Sequence, residues 1–113
     1  MNGDSRQFLL TVVWMFMRHG QRARALAVCE ALCEDNPRDG VAATALAELL
    51  LGASEAGRAL EVLQAADIPD HLAHVAAVLE TRALKMLGRQ REAAERWRRY
   101  LEARKGGARQ WMA

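Results

Sequence analysis

The sequence predicts an all-α fold built from three helical hairpins, or six helices, in series. Three alanines, Ala25, Ala59 and Ala93, stand 34 residues apart. Such an interval accommodates two helices with their turns, and a small side chain at a fixed position lets the paired helices approach closely. Hydrophobic residues make up 51% of the chain and aromatic residues 5%, a balance that favours close helix packing over strands.

The turns between paired helices follow the same register. Gly20, Ser54 and Gly88 are also separated by 34 residues. Glycine reaches positive φ and ends a helix, while the hydroxyl of Ser54 is expected to accept a hydrogen bond from a free N–H of the next helix. Each turn is preceded at the same spacing by a large apolar residue: Phe16, Leu50 and Leu84.

The register also predicts where the helices begin and end. We expect helices near residues 5–18, 21–35, 40–52, 55–66, 70–87 and 89–104. Pro37 ends the second helix, Pro69 comes early and shortens the fourth, and Asp70 is a suitable N-cap for the fifth. The pair Gly106-Gly107 is expected to end the last helix. Residues 1–113 are thus predicted to form a single domain with repeats at about 6–39, 40–73 and 74–107 and a short tail at 108–113.

The first predicted helix is apolar around its whole circumference. A helix packed on one side should keep a polar outer face. The apolar positions are Leu9, Leu10, Val12, Val13, Trp14, Met15, Phe16 and Met17. We therefore expect another chain to complete the burial of this helix, the alternative being packing by its own neighbours alone.

The same apolar run indicates neither a membrane span nor a signal peptide. The ten residues from Phe8 to Met17 rise about 15 Å as a helix, roughly half the thickness of a bilayer core. Arg18-His19-Gly20 follows where a cleavage site needs small residues. The sequence predicts a cytoplasmic protein without direct membrane insertion.

Charge is distributed unevenly along the chain. Residues 1–68 contain nine acidic and six basic residues, whereas 69–113 contain five acidic and ten basic residues. The basic residues of the last helix alternate with glutamates, and Glu92 with Arg96 and Glu95 with Arg99 have the spacing of favourable i,i+4 pairs. This pattern favours a solvated face over a nucleic-acid site, so no nucleic-acid partner is expected.

The chain has few residues of the types that carry out catalysis, and the sequence predicts a protein that is not an enzyme. It has two serines, three threonines and three histidines, and no Gly-rich phosphate loop or nucleophile with a base at a suitable spacing. Cys29 and Cys33 could join His71 and His74 in a zinc site, but buried reduced thiols are the preferred interpretation. No metal and no cofactor are predicted.

With this register the chain resembles the tetratricopeptide (TPR) repeat family, whose hairpins stack into a right-handed solenoid. That resemblance implies a partner-binding groove lined by the first helix of each repeat. The corresponding residues are Leu10, Trp14, Met17, Val41, Thr44, Glu48, Leu51, Val75, Val78, Arg82 and Met86. Basic residues there are limited to Arg82 and its neighbour Lys85, so an apolar helical or extended segment is a better ligand than a terminal carboxylate.

A narrower resemblance rests on short motifs over about residues 7–105. These are Phe8-Leu9-Leu10 with Trp14, Gly20, Arg24-Ala25, Ala31-Leu32, Asn36-Pro37, Arg82-Ala83, Leu87-Gly88, Ala93 and Tyr100-Leu101-Glu102. The chain is similar to the small TPR chaperones of bacterial type III secretion, of the YscY type. The resemblance implies a cytoplasmic bacterial protein-transport chaperone that binds a small, partly disordered export substrate of the YscX type, stabilises it and presents it to the export gate.

Two alternatives remain open. Needle-subunit chaperones of the YscG type have a similar length and repeat number, and a general TPR scaffold would bind a folded protein or a terminal motif. A homodimer is a further expectation for the client-free protein. We also hypothesise that Trp111-Met112 folds back onto the groove or the last helix and is displaced by the partner.

Overall fold

The computed structural model describes the backbone of residues 2–112 and the side chains of residues 2–106. Over that backbone it contains six α-helices and one short 3₁₀ helix, Asp70–Leu72, which confirms the predicted all-α class. The α-helices are α1 (Gly3–Arg18), α2 (Arg22–Asp35), α3 (Gly40–Gly52), α4 (Ala56–Ala65), α5 (Ala73–Met86) and α6 (Gln90–Met112).

The helix boundaries lie close to the predicted ones, with two differences. The fifth helix begins at Ala73 because the 3₁₀ turn occupies the three residues before it. The expected stop at Gly106-Gly107 is wrong, since α6 continues through both glycines to Met112. Glycine lowers helix stability by about 1 kcal/mol relative to alanine but keeps its N–H group, so a helix can pass through it. The hypothesis about Trp111-Met112 concerns side chains outside the described ones.

The three hairpin turns have one conformation. Gly20, Ser54 and Gly88 have φ angles of 70°, 62° and 76°. The residue directly after Gly20, Ser54 or Gly88 donates its N–H to the carbonyl of the large apolar residue four positions before that turn residue. This is the hydrogen-bond pattern of a Schellman motif. These bonds are Gln21 to Phe16 at 2.8 Å, Glu55 to Leu50 at 2.8 Å and Arg89 to Leu84 at 2.9 Å.

Ser54 therefore has a different role from the expected one. It adopts the left-handed conformation that glycine has in the other two turns, and Glu55, the N-cap of α4, makes no side-chain capping bond. The prediction that the Ser54 hydroxyl caps α4 is wrong. The shortening of α4 by the early Pro69 is confirmed, since this helix has ten residues.

The repeating alanines lie where the paired helices pack. Ala25, Ala59 and Ala93 are completely buried. Helix α1 packs on α2, α3 on α4 and α5 on α6, while contacts of α2 with α3, α4 with α5 and α3 with α5 join successive hairpins. The core continues through all three hairpins, and its largest fully buried side chains are Leu46, Leu50, Leu63 and Cys29.

The start of α3 contacts both α1 and the segment that follows α4. The carboxylate of Asp39 accepts hydrogen bonds from the Ala42 amide at 3.2 Å and from the Arg6 guanidinium at 2.6 and 2.9 Å. The hydrogen bond from Arg6 holds the pKa of Asp39 below its ordinary value. Next to it, a Cβ atom on Gly40 would lie 2.1 Å from the carbonyl oxygen of Asp67, so this close approach requires glycine.

Within the described part of the chain, no helix combines the length and the apolar character needed to cross a bilayer.

Candidate functional site: the apolar surface of helix α1

Helix α1 exposes large apolar side chains to solvent. The exposed fractions are 67% for Phe8, 56% for Trp14 and 49% for Met15. These three residues are called the α1 apolar surface below. Val13, on the opposite side of the helix, is 2% exposed and contributes to the core.

The position of α1 explains why so much of it is uncovered. Among the described helices it packs mainly on α2, so one side is buried and the other is not. An amphipathic helix would place polar residues on the outer side. Here that side contains aromatic and thioether groups, as the all-apolar pattern of residues 9–17 predicts.

A concavity of about 470 Å³ lies between α1 and the start of α3. Three residues predicted to line a groove, Leu10, Trp14 and Val41, come together there. Polar groups surround them: Arg6, Gln7 and Thr11. The guanidinium carbon of Arg18 lies 4.7 Å from the centre of the Trp14 ring, a cation–π arrangement that leaves much of the indole accessible.

Two predicted groove residues on α3 are not accessible. Thr44 is 7% exposed and its hydroxyl donates to the carbonyl of Gly40 at 2.7 Å, while Leu51 is 4% exposed and belongs to the core. Helix α3 packs against α2, α4 and α5, and this central position leaves little of it exposed. Their assignment to the groove is therefore wrong, whereas Glu48 of the same helix is exposed.

The groove residues on α5 remain at the surface. Val75 is 37% exposed and Met86 is 49% exposed, Arg82 is exposed, and Val78 is half-buried. Met17 of α1 is half-buried and packs against the core. The accessible apolar area is thus concentrated at α1 and, separately, along one side of α5.

The predicted groove does not include Phe8 and Met15, although Met15 belongs to the apolar set of α1 that another chain is expected to cover. The groove was assigned from repeat register, which selects the side of α1 that faces α3, whereas Phe8 and Met15 lie farther around the helix. The all-apolar circumference of α1 was the signal that could have identified them.

The two cysteines and the two histidines considered for a zinc site lie on different elements: Cys29 and Cys33 on α2, His71 in the 3₁₀ turn and His74 on α5. Cys29 is fully buried and Cys33 half-buried on α2, and burial raises the pKa of Cys29 to about 12 and that of Cys33 to about 11. His74 packs against Trp97 and Tyr100 of α6. Among the described side chains, no group of three or more His, Cys, Asp or Glu residues is arranged to hold a metal ion.

Comparison with known proteins gives no relative: no protein-family model, no curated protein and no solved structure matches this chain.

Proposed function

We propose that this protein is a chaperone of the type III secretion system that binds a small, partly disordered export substrate through the α1 apolar surface. The observation that supports the proposal is that α1 carries three of the seven exposed large hydrophobic side chains among the described residues: Phe8, Trp14 and Met15. Exposed large apolar groups gathered on one element are typical of protein-binding surfaces. A client segment would remove this surface from water.

The chemistry of the surface favours an apolar client segment. The α1–α3 concavity offers Leu10, Trp14 and Val41 as its apolar lining and polar groups at its edge. Of the two cations beside this lining, Arg6 is already paired with Asp39 at 2.6 Å, and Arg18 lies over the Trp14 ring, 4.7 Å from its centre. A partner carboxylate would therefore have to compete with these contacts, whereas an apolar side chain needs only the uncovered area.

The assignment to type III secretion rests on the resemblance of the sequence motifs to the YscY type. On that basis the client is a YscX-type substrate, and the complex of the two engages the export gate. A client that folds on binding buries apolar groups that it cannot bury alone, and the chaperone supplies the complementary surface.

Copurification from a type III-secreting host tests the proposal. The tagged chain is compared with a Phe8→Ser, Trp14→Ser, Met15→Ser variant and with Leu101→Ser, a control that removes one exposed apolar side chain from α6. We expect the wild-type chain and the control to retain one small secreted polypeptide at equal stoichiometry, and the triple variant to lose it while keeping its helical circular dichroism.

The identity of the captured polypeptide separates the alternatives. A needle subunit in its place would indicate a YscG-type chaperone, and folded proteins retained equally by all three chains would indicate a general scaffold. Either result would overturn the proposed client.

A further inference from the structure

Two clefts lie between the second helices of successive hairpins. The first, between α2 and α4, has a volume of about 350 Å³, and the second, between α4 and α6, about 480 Å³. They are related by the repeat, because several lining positions differ by 34 residues. These pairs are Glu30 and Gln64, Leu46 and Glu80, Arg58 and Glu92, Glu61 and Glu95, Val62 and Arg96, and Ala65 and Arg99.

The two clefts have different chemistry. In the first, Leu46 and Val62 form an apolar floor. In the second, the same positions carry Glu80 and Arg96, which form an ion pair at 2.6 Å. The floor of the second cleft, the larger of the two, thus carries paired charges, whereas the floor of the first is apolar, with Leu46 buried and Val62 partly exposed.

The rim of the first cleft, called the α2–α4 cleft below, is acidic. Glu30, Glu34 and Glu61 line it, and among the described side chains Arg58 is its one basic residue, paired with Glu30 at 3.1 Å. Glu34 and Glu61 are exposed, and within residues 2–106 neither forms an ion pair. An apolar floor between unpaired carboxylates is complementary to a basic segment that carries a large apolar side chain.

The chain itself contains such a segment at the end of α6. Ala103 lines the same concavity as Ala73, the first residue of α5, and α6 continues beyond this point to Met112. Arg104 and Lys105 are exposed there, and the sequence that follows adds Arg109, Trp111 and Met112. Residues 104–113 are called the basic segment below; they contain three basic residues and no acidic residue.

We propose that the basic segment of one copy of this chain docks in the α2–α4 cleft of a second copy. Arg104, Lys105 and Arg109 supply cations for Glu34 and Glu61, and an apolar side chain of the segment covers the Leu46–Val62 floor. Reciprocal exchange between two copies closes a symmetric dimer. This inference does not depend on the proposed function, because the cleft and the segment lie outside the α1 apolar surface.

The dissociation constant of self-association, measured by sedimentation equilibrium on the full chain, tests this inference. Because exposed ion pairs are screened, association should weaken between about 0.1 M and about 1 M salt, where the Debye length falls from about 10 Å to about 3 Å. We expect the Glu34→Gln, Glu61→Gln variant to raise the dissociation constant about tenfold. A charge-matched Asp4→Asn, Asp70→Asn control should leave it unchanged.

Charge reversal gives a sharper readout. A Glu34→Lys, Glu61→Lys variant and an Arg104→Glu, Lys105→Glu variant should each self-associate weakly, and an equimolar mixture of the two should regain association. Alkylation of Cys33, which lies in the cleft, followed by mass spectrometry should slow as the wild-type protein concentration rises. A monomer at all concentrations, association that the cleft variants leave intact, or no recovery on mixing would overturn the inference.

Discussion

Arg96 donates a hydrogen bond through Nε to a carboxylate oxygen of Glu80 over 2.6 Å, where the preceding repeat has Val62 and Leu46. The two side chains are only 19% and 14% exposed. One repeat has thus replaced an apolar contact with a partly buried ion pair. Such a pair contributes little net stability compared with apolar residues of similar volume, but removing one partner leaves an uncompensated charge.

A single substitution at the Glu80–Arg96 pair should therefore lower the free energy of unfolding more than the double substitution does. We expect Glu80→Leu alone to lower the free energy of unfolding by about 1 to 3 kcal/mol, because Arg96 loses its partner. Glu80→Leu with Arg96→Val, which copies the preceding repeat, should restore most of that loss. Urea denaturation of the two single variants and the double variant measures the coupling, and additive effects would contradict this interpretation.

Ser54→Gly should stabilise the fold. Ser54 has a φ angle of 62°, which glycine adopts without the Cβ clash that a side chain meets. We expect a gain of about 0.5 to 1 kcal/mol in the free energy of unfolding, reduced by the greater freedom of glycine in the unfolded chain. Gly20→Ala and Gly88→Ala are the matched reverse changes, and thermal melting should show both to be destabilised. Equal melting temperatures for the wild-type chain and the three variants would rule out strain at Ser54.

Gly40→Ala should be severely destabilising. The added methyl group would lie 2.1 Å from the Asp67 carbonyl oxygen, and backbone on both sides holds that contact. We expect a loss of about 3 kcal/mol or more. Gly57→Ala is the control, since its added methyl group meets nothing within 4 Å and alanine favours the helix by about 1 kcal/mol. Circular dichroism melts should move in opposite directions for the two variants.

The Arg6–Asp39 pair predicts how stability depends on pH. The pKa of Asp39 is lower in the folded chain than in the unfolded one, where it is about 3.9. The unfolded chain therefore binds a proton first, so the stabilisation is complete above that value and is lost as pH falls through the folded pKa. Asp39→Asn keeps an N-cap side chain but removes the charge, and it should make the free energy of unfolding less dependent on pH below about 4. An unchanged slope would show that Asp39 does not carry this dependence.

Much of the fold could be predicted because the 34-residue register repeats at several kinds of position. Ala25, Ala59 and Ala93 mark the packing of paired helices, and Gly20 and Gly88 mark turns whose φ angle favours glycine. The same register could not show that Ser54 takes a glycine conformation, because serine is also a common helix cap. The local sequence therefore predicts that a turn is present at Ser54 but not the backbone conformation of that turn.

The contacts between repeats were harder to predict. Thr44 and Leu51 follow the groove register, but the helices packed around α3 leave them buried, and periodicity within one helix does not specify its neighbours. The ion pairs expected from i,i+4 spacing also differ: Arg96 reaches Glu80 on α5, and Glu92 instead pairs with Arg89. A long arginine side chain can reach carboxylates on its own helix or on a neighbouring helix, and the fold determines which of them lies within reach.

The central claim is that the client binds at the α1 apolar surface. Site-specific photo-crosslinking in a type III-secreting host tests this claim most directly. A crosslinking amino acid replaces Phe8 in one chain and Met15 in another, with the exposed Arg91 of α6 as the control position. The account predicts that Phe8 and Met15 both crosslink to the same small secreted polypeptide and that Arg91 does not. Crosslinking of that polypeptide from Arg91 alone, or no product from either α1 position, would contradict it.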